Sequence, residues 1–465
     1  MDDVAFLPAL EQARLVRERK LSPVELVELY LQRIERLDPE LNAFVTVCGK
    51  RALAEARRAE AERTDTPFHG VPIPIKDLTE TGGIKTTFSS RLFADNVPEA
   101  DAAVVRRIRG AGFIVLGKTN TPEFGTIPVS ESELNGSCRN PWDTGRTPGG
   151  SSGGAAAAVA AGMSPVAHGT DGGGSIRIPA ACCGLFGLKP ARGRVSQAPY
   201  GPGTMGLATS GPIARTVADA AALVDVMAGY EVGDPFWAPP LERRLLEEVG
   251  TPPGRLRIAV TAEPPVEHPV DPARVNATEE CARLLEELGH EVGEAAPPWR
   301  DDGAAREFTR VWQTGPALWA GDKLELLEPL NRALAEDAYK ATSVELGQAV
   351  AQLQTYARRV VAFWSDYDLV LTPALALAPV PIGWLFELES PEKQFARSLS
   401  FTPFTPVVNL TGLPAAVVPF GLDADGLPLA VQLIARPARE DVLVRVCAQL
   451  EQARPWADLR PALSP

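Results

Sequence analysis

The chain has 465 residues, of which 45% are hydrophobic and 23% are charged, and it carries a formal net charge of −13 at pH 7. This apolar content is sufficient for a large buried core and excludes a chain that is disordered throughout. The acidic balance repels phosphate backbones, so we do not expect nucleic acid as a partner.

The cysteines predict neither a disulfide framework nor a metal site. None of the six belongs to a Cys-x-x-Cys pair, and Cys182 and Cys183 lie in the apolar run AACCGLFGL, which is typical of buried thiols. The start of the chain lacks a basic segment followed by an apolar one, and the longest apolar run is broken by Gly162 and Pro165. We therefore expect a cytoplasmic protein that has no metal ion and no membrane partner.

The first part of the chain reads as helices followed by alternating strands and helices. Ser22 is a candidate N-cap, with Glu25 at the capping-box position, and a second helix is predicted from Lys50 to Arg63. Strands are predicted within 71–78 and 113–120, and a third one before Ser175 that includes His168. This alternation predicts an α/β protein.

The rest of the chain continues this alternation around one different region. A helix is expected over 217–227, a strand over 256–264 and a helix over 276–288, and residues 401–465 return to strands and a closing helix. The sequence predicts one domain of four parts, which are N-terminal helices (1–65), a core (66–230), a variable and mostly helical insertion (235–400) and a C-terminal return to the core (401–465).

The stretch TPGGSSGGAAAAVAAG, from Thr147, is the most unusual feature of the sequence. Such bare backbone fits a flexible linker, a phosphate-binding loop or a catalytic turn. A linker is disfavoured because apolar sequence follows directly. A P-loop would need a lysine with Ser or Thr after its last glycine, and a dinucleotide fingerprint would need a strand before the glycines, so nucleotide binding is also disfavoured.

Histidine-based catalysis is disfavoured as well. The chain has only four histidines. His268 and His290 are predicted at the surface, His69 in a turn, and His168 on the same strand as Ser175. A structural histidine with satisfied hydrogen bonds is expected at each position.

A second glycine cluster, TDGGGSIRIPA, places Ser175 directly after three glycines. Bare backbone N–H groups beside a serine are suited to an oxyanion hole, because no side chain blocks them. A lysine can act as the base when burial lowers its pKa. Lys76 in VPIPIKDL is the first candidate and Lys118 the second, although Lys76 alone reads as an ordinary lysine at the end of a strand.

Both glycine clusters together resemble the signature region of the amidase signature family. The resemblance extends through GKTNTPEFG, RNPWD and NLTGLPAAVVPFGLDADGLPLAVQLIA, and is weakest between about 235 and 400. It is closest to free-standing bacterial amidases, a group that includes the 6-aminohexanoate cyclic dimer hydrolases. It implies an α/β fold with a large mixed sheet covered by helices on both faces.

The family's Ser–cis-Ser–Lys triad matches Ser175, Ser151 and Lys76, with a cis peptide before Ser151. The resemblance implies amide hydrolysis through an acyl-enzyme on Ser175, without a cofactor. Backbone N–H groups from Gly172 to Ser175, which include Gly173 and Gly174, would bind the oxyanion. One departure is Gly172, where many relatives have Thr or Ile, and it affects the shape of the pocket.

Three further residues have expected supporting roles in this site. Asp171 and Arg177 flank the nucleophile and are expected to form an ion pair that fixes the turn. Ser152 is expected either to form hydrogen bonds near Lys76 and the oxyanion backbone or to serve only the local structure.

The sequence indicates the type of reaction more closely than it indicates the substrate. We expect a small-molecule amide that is uncharged or aryl-bearing, and esters and carbamates present the same carbonyl group. Candidate pocket residues, for which packing is an equal alternative, are Thr126, Ile127, Ser130, Trp312, Trp319, Phe401 and Phe404.

Three other functions remain as alternatives at this point. One is the glutaminase subunit of a tRNA-dependent amidotransferase, the second a non-enzymatic binding protein on the same scaffold, and the third a nucleotide-binding protein. A homodimer is an expectation from the resemblance only.

Overall fold

The computed structural model describes residues 2–62, 64–201 and 203–463. Within these residues, eleven strands form one mixed sheet in the order β1-β3-β2-β4-β6-β5-β10-β11-β9-β7-β8. The strands are β1 (Phe44–Val47), β2 (Pro72–Lys76), β3 (Ile114–Thr119), β4 (Val166–Asp171), β5 (Phe186–Lys189), β6 (Thr209–Ala214), β7 (Arg257–Val260), β8 (Glu291–Glu294), β9 (Leu369–Pro373), β10 (Ala415–Leu422) and β11 (Pro428–Ala435).

Parallel pairs lie toward both ends of the sheet, and antiparallel pairs form its centre. β2 is parallel to β3 and β4, and β7 is parallel to β8 and β9. All pairs from β4 through β6, β5, β10 and β11 to β9 are antiparallel, as is the pair β1–β3.

Seventeen α-helices connect and cover the sheet in the described residues. They are α1 (Asp2–Ala5), α2 (Ala9–Arg17), α3 (Pro23–Leu41), α4 (Gly49–Ala61), α5 (Ala103–Gly110), α6 (Gly153–Ala160), α7 (Arg177–Cys183), α8 (Val217–Met227), α9 (Leu245–Glu248), α10 (Pro272–Glu287), α11 (Asp302–Trp312), α12 (Thr314–Ala320), α13 (Pro329–Lys340), α14 (Ser343–Val361), α15 (Pro391–Phe401), α16 (Pro406–Thr411) and α17 (Glu440–Ala453).

The apolar core lies on both faces of the sheet. Along β10, Val418 packs into one large cluster, whereas its neighbour Val417 packs into another on the opposite face. Alternate side chains of a strand point to opposite faces, so a strand apolar at every position needs cover on both sides. The expected α/β architecture, a large mixed sheet with helices on both faces, is confirmed.

Local patterns predict several element boundaries well. The capping box of α3 is formed by Ser22 and Glu25 as expected, and α8 has the expected bounds. The second predicted helix begins at Gly49 and ends at Ala61, and the expected terminal residue Arg63 lies outside the described residues.

The variable region is mostly helical beyond residue 300, but it also contributes β7, β8 and β9 to the edge of the sheet. The division of the chain into four parts remains a prediction. No helix in the described part of the chain combines the length and the apolar character needed to cross a bilayer.

Candidate active site

The candidate residues meet where β2 and β4 end. These strands run parallel, so their carboxyl ends lie at the same edge of the sheet. Lys76 is the last residue of β2 and Asp171 the last of β4. The two glycine-rich turns also end here, with Ser151 just before α6 and Ser175 just before α7. This edge therefore brings together residues from distant parts of the chain.

Lys76 is fully buried and forms two side-chain hydrogen bonds. Its Nζ donates to Ser151 Oγ at 2.7 Å and to Thr170 Oγ1 at 3.0 Å. Burial lowers the pKa of Lys76 well below its ordinary value, although the negative charge of Asp171 opposes this shift. The amine is therefore suited to accept a proton from Ser151. Thr170 was missed in the sequence, although it is a polar residue at the end of a buried strand.

The loop before α6 is held by close backbone packing. The Gly150–Ser151 peptide is cis, as the resemblance implies. A Cβ on Gly150 would lie 2.6 Å from the backbone nitrogen of Val129, so only glycine fits there. Ser152 links the two turns, because its N–H donates to the Ser175 carbonyl at 3.2 Å and its hydroxyl bonds with the Thr170 backbone.

A buried ion pair organises the turn that carries Ser175. Arg177 donates to both carboxylate oxygens of Asp171 at 3.0 Å, and neither side chain has exposed surface. Burial would raise the pKa of Asp171, but the charge and hydrogen bonds of Arg177 outweigh it and hold that pKa below its usual range. The guanidinium group also donates to Gln432 Oε1 at 2.7 Å and Asn409 Oδ1 at 2.6 Å. These two partners, distant in sequence, were not identified there.

The backbone amides of this turn are not equivalent. The N–H of Gly174 donates to Asp171 Oδ1 at 2.8 Å, so the expectation that it contributes to the oxyanion hole is wrong for this conformation. The amides of Gly172, Gly173 and Ser175 make no hydrogen bond within the described residues. These three N–H groups can donate to an oxyanion, whereas Gly174 stabilises the turn through Asp171.

A cavity of about 310 Å³ opens beside the two serines. Ser151 and Ser175 both line it, together with Thr126, Trp312 and Trp319. Its lining within the described residues includes aromatic, small and hydroxyl-bearing side chains but no charged one. The two candidate tryptophans thus border a lining that is rich in aromatic side chains.

Three candidate pocket residues lie elsewhere. Ser130 does not line this cavity, because its hydroxyl donates to the Gly149 carbonyl and accepts from the Gly153 N–H, both at 3.0 Å. Phe401 and Phe404 are fully buried and also lie outside the lining. Of the two alternatives expected at these positions, the structure agrees with internal packing for all three side chains.

Lys118 is also fully buried, but it lies in a separate polar pocket. Its ammonium group donates to the Thr79 carbonyl, to Thr81 Oγ1 at 3.1 Å and to Thr86 Oγ1 at 2.9 Å. Burial lowers the pKa of Lys118 to about 8. Since no serine of the site is among these partners, Lys118 has a structural role in this geometry.

The histidines differ from the expectations in two ways. His290 is buried and contacts Gln449 Oε1 at 2.9 Å, so its predicted surface position is wrong. His168 is on β4, but Ser175 lies beyond the end of that strand. Both ring nitrogens of His168 are buried without a partner among the described residues, which contradicts the expected satisfied histidine. Burial lowers its pKa to about 3.

No group of three or more His, Cys, Asp or Glu side chains in the described residues is arranged to hold a metal ion. The arrangement that is present is a buried amine in contact with one serine, a second serine in the same cavity, and unpaired amides beside it. Chemically, such an arrangement can activate a hydroxyl group against a carbonyl carbon.

The sequence matches the Amidase family over residues 25–444. The chain belongs to this family. It is 40% identical over 486 residues to the 6-aminohexanoate-cyclic-dimer hydrolase of Paenarthrobacter ureafaciens, covering 98% of this chain and 96% of that protein. It is 38% identical over 472 residues to the acylamidase of Rhodococcus erythropolis, covering 98% of this chain and 97% of that protein.

The fold of this amidase agrees with the sequence match. A solved structure of 6-aminohexanoate cyclic dimer hydrolase complexed with substrate superposes with a TM-score of 0.93 at 36% identity, covering 99% of this chain and 100% of that one. The amidase is therefore a hydrolase of amide bonds with the family's mixed-sheet fold. A role as the glutaminase subunit of an amidotransferase is not favoured by these relatives.

Proposed function

We propose that the amidase cleaves carboxylic amides through an acyl-enzyme on Ser175, with Ser151 and Lys76 as the proton relay. The observation that carries this proposal is the 2.7 Å contact between Lys76 and Ser151 in a fully buried environment. Burial favours the neutral amine, which is the form that can take a proton. Ser175 lines the same cavity as Ser151, which supports its role as the nucleophile.

The proposed reaction has two halves. Lys76 takes the proton of Ser151, and Ser151 takes the proton of Ser175 as Ser175 Oγ bonds to the carbonyl carbon. Ser151 then gives a proton to the nitrogen and recovers one from Lys76, and the C–N bond breaks as the carbonyl re-forms and the amine leaves. Water attacks the ester by the same relay and releases the carboxylic acid. Lys76 and Ser151 are already in contact, whereas the two serine hydroxyls share no hydrogen bond in the described part of the chain, so they must approach each other before the proton passes from Ser175 to Ser151.

Two other features of the turn fit this sequence of steps. The free amides of Gly172, Gly173 and Ser175 support stabilisation of the oxyanion. Asp171 and Arg177 would act as positioning residues, because they fix the turn through the Gly174 amide and do not line the cavity.

The cavity favours uncharged substrates. No charged side chain is among its described lining residues, so a charged substrate group would lose its hydration without a partner. Aromatic side chains, among them Phe88, Phe124 and Trp319, favour an aryl-bearing substrate. We extend the proposal to aryl esters and carbamates, because they present the same carbonyl group to the same relay.

The proposal is tested with purified protein and a panel of uncharged substrates, which are a p-nitroanilide, an aliphatic amide, an aryl ester and an aryl carbamate, with glutamine added as a comparison. We expect turnover of at least one uncharged amide by the wild type, and its loss in Ser175→Ala. Ser400→Ala is the matched control, because Ser400 lies on α15 outside the lining of the cavity and its hydroxyl donates to the Arg397 carbonyl. Circular dichroism would establish that all three proteins are folded.

Two kinds of result would contradict the proposal, one for the nucleophile and one for the substrate class. Undiminished turnover by Ser175→Ala would contradict the proposed nucleophile. Exclusive hydrolysis of glutamine, or silence of the folded wild type on the whole panel, would contradict the proposed substrate class and favour an amidotransferase subunit.

A further inference from the structure

Two chambers, not one, meet at Ser175. Besides the cavity of about 310 Å³, a second space of about 50 Å³ lies between the serine and the helices α11 and α15. We call them the large chamber and the small chamber. Gly125, Thr126, Ser175 and Trp312 line both of them. A substrate bonded to Ser175 can therefore extend in two directions.

Trp312 stands between the two chambers. Its Nε1 donates to the Thr126 carbonyl at 3.1 Å, and its ring stacks on Phe308 with centroids 5.3 Å apart. Its edge also covers the oxyanion turn, since a Cβ on Gly172 would lie 3.3 Å from the ring and one on Gly173 3.5 Å. Because these glycines have no side chains, the indole can lie directly beside the reacting carbonyl.

The position of Ser151 gives the two chambers different roles. Ser151 lines the large chamber but is not among the described lining residues of the small one. In the proposed mechanism, Ser151 donates the proton to the leaving nitrogen, so the amine must lie on the Ser151 side. The acyl substituent then extends in the other direction, into the small chamber.

We propose that Trp312 determines substrate specificity, by confining the acyl group to the small chamber and leaving the large chamber to the amine. This inference rests on the proposed function, because it uses Ser151 as the proton donor. It narrows the substrate class to amides of short aliphatic acids with bulky, aryl-bearing amines.

The size and lining of the small chamber set the acyl group. A volume of about 50 Å³ holds on the order of four heavy atoms, since one water-sized atom needs roughly 10–15 Å³ of this space. Ile178, Phe395 and Leu399 give it apolar walls, and no charged side chain is among its described lining residues. Acetyl, propionyl and butyryl groups fit these limits, whereas a benzoyl group exceeds them.

The large chamber suits the amine and the later entry of water. Phe88, Phe124 and Trp319 offer ring surfaces to an aryl amine, and Trp319 itself is 40% exposed at the mouth. Once the amine has left, this side becomes open to water while the acyl group still fills the small chamber. Water would then reach the acyl-enzyme from the side of Ser151, where its proton can be taken.

The inference is tested with two substrate series. The acyl series contains the p-nitroanilides of acetic, propionic, butyric and benzoic acids, and the amine series contains the acetamides of methylamine, aniline and 2-naphthylamine. For the wild type, we expect kcat/KM for the benzoyl substrate to be at least about tenfold below that for the best short acyl group. The amine series should show no such loss for the larger amines.

Three variants then separate the chambers. Trp312→Ala should join them and raise the benzoyl-to-acetyl ratio of kcat/KM by at least about tenfold, whereas Trp312→Phe should keep most of the wild-type ranking. Ser398→Leu adds a side chain at the wall of the small chamber, so it should reject butyryl before acetyl. Ala208→Leu, at the wall of the large chamber, is the matched control and should change the amine series only.

The possible results distinguish a failure of the Trp312 inference from a failure of the proposed function. A wild type that prefers benzoyl over acetyl while rejecting larger amines, or a folded Trp312→Ala with an unchanged acyl ranking, would overturn the inference and leave the proposed function intact. If Trp312→Ala does not fold, Ser398→Leu decides, because an unchanged butyryl-to-acetyl ratio of kcat/KM in that variant would overturn the inference. Turnover that is unaffected by Ser175→Ala would instead contradict the proposed function.

Discussion

Two regions border the active site and differ in how closely they are packed. They are the turns that carry Ser151 and Ser175 and the helices that face these turns. In the turns, a Cβ on Gly150 would lie 2.6 Å from backbone, and one on Gly174 would lie 2.3 Å from Thr405 Oγ1. In the facing helical region, a Cβ on Gly315 would have no atom of the described residues within 4 Å. The turns therefore leave no room for an added atom at Gly150 and Gly174, whereas the wall has open space at Gly315.

This difference indicates that the turns carry out the reaction and that the facing helices, the wall of the cavity, select the substrate. Close packing and hydrogen bonds hold the catalytic turn in one conformation, as a reacting geometry requires. The wall contributes large side chains, above all Trp312 and Trp319, that can be exchanged without touching the relay. We therefore expect substitutions in the turns to change rate and stability, and substitutions in the wall to change the ranking of substrates.

The sharpest way to break this comparison is at the two buried lysines. Lys76→Met should lower kcat by at least about 10³-fold, because no other base contacts Ser151 in the described residues. Lys118→Met is the matched control, which should cost about 2–4 kcal/mol of unfolding free energy by removing a buried donor that serves three acceptors. Steady-state kinetics and urea unfolding would measure both; a normal rate in Lys76→Met would contradict the relay.

The pH profile of the wild type tests the protonation state of Lys76. The neutral amine of Lys76 is the active form, so kcat/KM should rise as pH increases through the lowered pKa of Lys76 and reach a plateau above it. Because burial lowers this pKa well below its ordinary value of 10.5, the rise should lie well below pH 10.5. A rate that falls with pH over this range would mean that the charged amine is the active form.

The next largest effect concerns the ion pair beneath the nucleophile. Arg177→Met should lower the free energy of unfolding by about 3–5 kcal/mol, because it leaves the fully buried Asp171 carboxylate without its counter-charge. Thermal unfolding would show a lower Tm. In steady-state kinetics, the fold-decrease in kcat should exceed the fold-change in KM. Arg146→Met, at a half-exposed pair with Asp143, is the control and should change Tm little.

Two neighbouring glycines sharpen the comparison inside the turn. Gly174 has φ +132°, and its Cβ would collide with Thr405, so Gly174→Ala should lose about 2–4 kcal/mol and most activity. The added Cβ of Gly172→Ala meets the ring edge of Trp312 at 3.3 Å and the Ala208 Cβ at 3.7 Å, so this variant should keep the fold and shift the ranking of substrates. Equal loss of Tm in both variants would contradict this distinction.

The smallest expected effect comes from His168. Its pKa of about 3 lies below the unfolded value near 6.5, so the unfolded chain takes up a proton first as pH falls. Stability should therefore decline from about pH 6.5 toward pH 3. His168→Leu should reduce this decline, measured as urea midpoints at pH 7 and pH 5. An unchanged decline would show that other groups cause it.

Local sequence patterns predict much of this molecule. The strand ending in Lys76, the capping box at Ser22 and the glycine turns each follow from a few neighbouring residues. The Gly174 amide could have been found too, because an Asp three residues before a glycine commonly caps a turn.

The remaining features depend on tertiary contacts. Asn409 and Gln432 lie 232 and 255 residues from Arg177, so no local pattern connects them. Phe401 and Trp312 are each the last residue of a helix, yet Phe401 is buried in the core and Trp312 borders the cavity. Only the packing of those helices against the sheet decides which one reaches the substrate.

The central claim is an acyl-enzyme on Ser175, and trapping it is the most direct test. The wild type would be mixed with p-nitrophenyl acetate, quenched in acid within the first turnovers and digested for peptide mass analysis. We expect an acetyl group on the peptide that contains Ser175, and none on that peptide in Ser175→Ala. The acyl-enzyme on Ser175 would be contradicted if Ser175 stayed unlabelled during steady turnover, or if the acetyl group appeared on another residue whose substitution abolishes turnover.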